Sequence, residues 1–139
     1  MSPAFVHRVR PRYAEVDAQG VVFNAHWLTY FDEACTRFFD RLGFEPATSF
    51  FRDFDLMLVK AVLEWQGPAG FDDEVDIAVE PVRFGTSSFD MRYTATVGDR
   101  PVCVGVITYV SVRPGSHDST PIPDDLRASL AGASSLDPA

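Results

Sequence analysis

Two hydrophobic rhythms divide this chain. From Trp27 to Leu42 the apolar residues Trp27, Phe31, Ala34, Cys35, Phe38 and Leu42 recur at steps of three and four, the spacing of one broad helical stripe buried against something flat. Thr29, Asp32, Glu33, Thr36, Arg37, Asp40 and Arg41 fill the opposite face, with Glu33 four residues before Arg37 in the favourable orientation. Asn24 as N-cap and Gly43 as stop bracket a helix over 25–42.

Elsewhere the rhythm is two. Phe5, His7, Val9, Pro11 and Tyr13 alternate with arginines, which predicts a half-buried strand, and Pro11 puts it at a sheet edge or leaves one side of its hydrogen bonding unused. A second strand places Met57, Val59, Ala61, Leu63 and Trp65 inward and Lys60, Glu64 and Gln66 outward. A third runs over 74–84, with Val75, Ile77 and Val79 inward and Pro81 marking a bulge or an exposed edge. After a turn opened by Gly85, a fourth strand sets Phe89, Met91, Tyr93, Ala95 and Val97 inward. The turn Gly98-Asp99-Arg100-Pro101 then predicts a hairpin into a fifth strand over 102–112, apolar on both faces and therefore central or doubly covered.

Residues 43–56 carry a proline and four phenylalanines without a period, which suits a loop or short helical turn whose aromatics cover the ligand pocket or the core. One short helix is possible over 123–130. The expected organisation is a single domain over 1–126 with a disordered tail over 127–139. The class is α+β, a five-stranded antiparallel sheet wrapped around one long helix.

Composition narrows the function. A length of 139 residues suits one domain able to bury its own core. Cys35 and Cys103, far apart, match no metal or redox spacing and read as small buried hydrophobes in a reducing cytosol. The N-terminal residues lack a signal-peptide run and no stretch is long enough to span a bilayer, so a soluble cytoplasmic protein is expected. A net charge of −8 disfavours nucleic acid as a partner. Glycine-rich phosphate loops, nucleophile elbows and zinc or calcium patterns are absent from the sequence.

What remains is Asp17 and Gly20 just upstream of the helix start at Asn24 and Ala25. First-turn amides lack intrahelical partners and the helix dipole adds partial positive charge, so a carbonyl could be polarised there while Asp17 attacks it or activates a water. The same residues also fit a plain turn, in which Asp17 bonds its own backbone, Gly20 supplies a positive φ and Asn24 caps.

Tyr13-Ala-Glu-Val-Asp17-Ala-Gln-Gly20-Val-Val-Phe-Asn24-Ala-His-Trp27, with the amphipathic helix ending Arg-Leu-Gly-Phe, resembles the hotdog-fold acyl-CoA thioesterases of the 4-hydroxybenzoyl-CoA thioesterase and YbgC-like group. The later Gly-Pro-Ala-Gly-Phe-Asp-Asp-Glu-Val turn, Arg83-Phe-Gly-Thr-Ser-Ser-Phe89 and Pro-Ile-Pro-Asp-Asp-Leu are similar too, though less specific. The resemblance implies a cofactor-free hydrolase of acyl-CoA thioesters. It implies homodimers or homotetramers with active sites at the dimer interface, Asp17 as nucleophile or general base, and amides near Asn24 and Ala25 polarising the thioester. Tyr13, His26 and Trp27 would contact substrate, and Arg83, Thr86, Ser87 and Ser88 would lie near the coenzyme's phosphates.

Many relatives read His-Ala-Asn-Tyr where this chain has Asn24-Ala25-His26-Trp27. His26 does not replace that histidine, because two positions along a helix turns the side chain by about 200°. Two other readings stay open on this fold: a non-catalytic acyl-CoA or acyl-carrier binding module, and a hydratase, for which no further catalytic Asp/His pair is evident.

Overall fold

A computed structural model describes residues 5–45 and 54–133. Strand β1 (Phe5–Val9) is followed by a 3-10 turn (Tyr13–Glu15) and helix α1 (His26–Arg41). Strands β2 (Asp55–Trp65), β3 (Val75–Phe84), β4 (Ser88–Val97) and β5 (Arg100–Val112) come next, then helix α2 (Asp124–Gly132). The five strands form one sheet in the order β1-β3-β4-β5-β2, every neighbouring pair antiparallel. Pro11 ends β1 early, and Tyr13, expected inward on that strand, is instead highly exposed.

Helix α1 lies across the sheet because its stripe is wider than six residues. Trp27, Phe31, Ala34, Cys35 and Phe38 are buried, joined by Tyr30 and Phe39, and Leu42 packs against their edge. The close approach is made at Phe31, whose ring stacks on Tyr93 at a centroid distance of 5.0 Å. It also lies where a β-carbon on Gly105 would come within 2.7 Å of it. Only a residue without a side chain lets the helix seat this deeply. At the far end Gly43 takes φ +94, the left-handed stop the sequence predicts. At the near end Asn24 does not cap: Ala25 holds that position, already in helical conformation and without a side-chain cap.

Two bulges adjust the alternation. In β3 the register shifts between Pro81 and Arg83, so the proline marks a bulge inside the sheet and is itself buried. In β2 it shifts between Leu58 and Lys60, and one extra residue reverses which face later side chains take. Met57 therefore pairs with the outer-face Val110, while Leu58 pairs with the buried Tyr109. The inward set is Leu56, Leu58, Ala61, Leu63 and Trp65 rather than one starting at Met57.

β5 is central as predicted, hydrogen-bonded on both sides, but only one of its faces is fully buried. β2 is the surprise. It is the longer of the two sheet edges, and Val59, Val62 and Trp65 are 57%, 48% and 50% exposed. Helix α2 buries Leu126 and Leu130, which carries order beyond residue 126, where the tail was expected to begin, to Ala133. Most of the 43–56 loop, 46–53, and the last residues, 134–139, lie outside the described part.

Candidate active site

The segment between β1 and α1 is a folded strap. Asp17 donates its amide to the Val21 carbonyl and accepts at its own carbonyl from Gly20, both at 2.9 Å. That closes a tight hairpin in which Gly20 holds φ +79, a conformation costly for any other residue type. The strap is tied down on three sides: Val22 donates to Ala69, Phe23 donates to Glu15, and Val21 bridges Gly70. Asp17 is half-buried, and one carboxylate oxygen accepts from the Gln19 amide at 2.8 Å. This is the turn bond that the plain reading of Asp17 requires. The other oxygen has no partner among the described residues.

Two residues beyond Phe23 the helix begins. Its lead-in amides at Asn24 and Ala25 donate to no protein group among the described residues, whereas His26 and Trp27 donate back to Phe23 and Asn24. Asn24 and Ala25 form one wall of an open groove of about 400 Å³, with Phe23, Leu28, Ala61, Leu63 and Trp65 as the rest of its lining. Beyond Asn24 the lining is apolar, and Asp17 is not part of it. A polarised carbonyl fits such a place and an ion does not.

The remaining predicted residues divide. His26 is half-buried, its ring edge-on to Phe23. Trp27 is in the core, 2% exposed and edge-on to Tyr30, so it supports the helix start from behind and does not line the groove. Tyr13 rests edge-on against Phe71 at the surface. Arg83 is already paired, donating to both carboxylate oxygens of Asp90 at 2.9 and 3.1 Å and to Ser88 at 3.0 Å. That pair raises the Arg83 guanidinium and lowers the Asp90 carboxyl. Carbonyls of the same turn are braced: Thr86 accepts from Ile122 and Arg127, and Ser87 from Ser111.

Within one chain this turn and the groove are apart. Ser88 is level with Val110 on β5 and the groove residue Leu63 with Gly105, five residues apart, or roughly 17 Å.

One buried residue of the strap escaped the sequence reading. Glu15 is 7% exposed and accepts from the Arg12 amide, the Arg12 guanidinium and the Tyr30 hydroxyl, at 2.7, 3.0 and 2.9 Å. Burial pushes its carboxyl up, but these donors outweigh burial and hold it below the ordinary range, while burial and Glu15 push the Tyr30 phenol up.

The model of the thioesterase-like superfamily matches residues 11–130. This chain belongs to that superfamily. The curated relatives of the thioesterase include a putative esterase from Aquifex aeolicus, 26% identical over 117 residues, covering 84% of this chain and 91% of the relative. A 1,4-dihydroxy-2-naphthoyl-CoA hydrolase from Thermosynechococcus vestitus is 30% identical over 125 residues, covering 87% and 84%. Among solved structures, a gentisyl-coenzyme A thioesterase superposes with TM-score 0.82 at 25% identity, over 91% of this chain and 99% of that one. The architecture is the hotdog fold, and by family the protein is a thioester hydrolase. A Thermus thermophilus thioesterase solved with coenzyme A and zinc shares the fold, with TM-score 0.84 at 24% identity and coverage of 98% of each chain.

Proposed function

We propose that this thioesterase hydrolyses an acyl-CoA, with the acyl carbonyl seated against the Asn24 and Ala25 amides and Asp17 acting beside it. The observation that carries the reading is that Asn24 and Ala25, whose amides have no protein partner among the described residues, line an apolar groove at the helix start. In the general-base form, Asp17 takes a proton from water as the water oxygen bonds to the thioester carbon. The resulting oxyanion is held by the two amides. Collapse then breaks the C–S bond, and the proton passes from Asp17 to the departing thiolate. In the nucleophilic form Asp17 itself bonds to that carbon, expels the thiolate and leaves a mixed anhydride that water opens.

The groove is largely apolar, and two relatives are named for hydroxylated aromatic acyl groups. Aromatic acyl-CoA esters are therefore the first substrate class we assign.

The reading includes a homodimer. β2 has eleven residues, an edge with no partner strand among the described residues, and exposed Val59, Val62 and Trp65, a combination that soluble proteins ordinarily cover. Antiparallel pairing of β2 with the β2 of a second copy reverses strand direction about a twofold axis. That would bring one copy's Asp55 end, with its Arg83–Ser88 turn, level with the other copy's groove and so close the gap within one chain. Arg83, Thr86, Ser87 and Ser88 would then face the coenzyme's phosphates, with Arg83 sharing its charge with Asp90.

The test is Asp17→Asn, assayed by free-thiol release across a panel of aliphatic and aromatic acyl-CoA esters. Loss of a base or nucleophile of this kind lowers kcat by about a hundredfold or more, with the oligomer and acyl-CoA binding intact. Unchanged turnover overturns the assignment. A wild-type chain that binds acyl-CoA without releasing coenzyme A would instead mark a non-catalytic binding module.

A further inference from the structure

We propose that Glu15, gripped by Tyr30, is the positioning residue that sets Asp17 against the helix-start amides. The proposal rests on the reading of Asp17 given above. Glu15 contacts both the helix body and the amide-bearing arm of the strap. Its side chain accepts the Tyr30 hydroxyl from the second turn of α1, at 2.9 Å, and its carbonyl accepts the amide of Phe23, also at 2.9 Å. Asp17 follows two residues after Glu15, and Asn24 directly follows Phe23. One residue therefore binds the base-bearing arm of the strap to the amide-bearing arm through its backbone, and fixes both to the body of the helix through its side chain.

The anchor is built to be rigid. Glu15 and Tyr30 are 7% and 5% exposed, and the Tyr30 ring is held edge-on by Trp27 at 5.5 Å. The carboxylate's second oxygen accepts from the exposed Arg12 guanidinium, and the Arg12 amide shares the oxygen that Tyr30 uses. Buried charge on so small a protein is costly unless every lone pair is engaged. Here it is placed under the one loop whose geometry chemistry needs, and away from the groove itself. Neither residue lines the groove, so each acts through Asp17 and the lead-in amides without contacting the acyl group.

The experiment uses the full-length chain and steady-state hydrolysis of one acyl-CoA identified in the thiol-release panel, with Asp17→Asn run alongside. Tyr30→Phe removes a single hydroxyl and keeps the ring packing. A misplacement of the order of 1 Å costs about a hundredfold, so kcat should fall by roughly ten- to a hundredfold while KM stays within about twofold. Glu15→Gln keeps an acceptor for Tyr30 and for the Arg12 amide, and should retain kcat within roughly threefold. Glu15→Ala should fall as Tyr30→Phe does, and Glu15→Ala/Tyr30→Phe should be no slower than Glu15→Ala alone. If Glu15→Ala fails to fold, the contrast between Tyr30→Phe and Glu15→Gln decides.

Tyr30→Phe with parental kcat per folded molecule, or with KM raised and kcat unchanged, overturns the positioning role even if Asp17→Asn is dead. Asp17→Asn with full turnover overturns the catalytic reading, and with it the purpose assigned to the anchor.

Discussion

Replacing Gly105 by alanine puts a number on how deeply the helix is seated. The added β-carbon would meet Phe31 Cε2 at 2.7 Å and Cδ2 at 3.1 Å, well inside ordinary van der Waals separation, so something must move by most of an ångström. The ring has nowhere easy to go: it is fully buried, stacked on Tyr93 at 5.0 Å and tilted against Trp27 at 6.1 Å. Overpacking a core of this kind costs about 1–3 kcal/mol, and such contact argues for the upper part of that range. Alanine recovers about 0.5–1 kcal/mol by restricting the unfolded chain, leaving a net loss of roughly 2 kcal/mol. A chain of this length unfolds with an entropy near 0.3 kcal/mol/K, so Tm should drop by roughly 7 °C. Thermal unfolding followed by circular dichroism reads this directly. Phe31→Leu/Gly105→Ala should lose less than the sum of its parts, because the smaller side chain makes room. A Gly105→Ala Tm within about 1 °C of the parent, or strict additivity in the double variant, would refute the reasoning.

Further outcomes follow from burial, charge and edge exposure. Burial pushes the Cys35 thiol up to about 11 and Cys103 up to about 12, so a thiol-alkylating reagent at mildly alkaline pH should label neither in the native protein and both in denaturant. His7 is held below its ordinary value by burial, and by the Arg37 charge against an opposing pull from Glu33. The native state then binds fewer protons than the unfolded one just below pH 6.5, so stability should fall as pH drops through that window, and His7→Gln should flatten the slope in denaturant titrations. The depressed carboxyls of Glu15, Asp76 and Asp90 contribute stability that is present above their ordinary range and lost at more acid pH. For the dimer proposed through β2, Val62→Lys on that edge should convert dimer to monomer in sedimentation, and a parent that already sediments as a monomer, or an unaltered coefficient in the variant, would refute that dimer.

The helix was legible because a stripe at 3.6-residue spacing constrains little else: its burial pattern, its glycine stop and its length agree with the periodicity to within a residue at each end. Strands β3 and β4 were legible for the same reason at period two, and β5 as a run apolar on both faces after a turn signal. What the alternation could not disclose is where a strand gains a residue. Val59 sits at the β2 bulge and reverses the phase, so Met57 and Leu58 exchange faces. No local propensity marks that position, since the shift is set by pairing with β5. Glu15 escaped for a similar reason: its meaning comes from Tyr30, fifteen residues away, and from a burial that an acidic residue in a polar strap does not announce.

β2 links the open sheet edge to the groove. Its sequence reads as a strand with a buried face, and in the isolated chain that face is largely open at Ala61 and Trp65 while the groove beside it is lined by the same two residues. A side chain's apolar character is a statement about the whole assembly, whereas its exposure here is a statement about one protomer. Where the two disagree along much of an edge strand, and the disagreement adjoins the helix start, the economical resolution is that completing the sheet and completing the site are one event. Lysine at Val62 should then remove thiol release together with the dimer. Hydrolysis at the parental rate by a stable monomer would break that link, leaving the groove of a single chain as the whole of the active site.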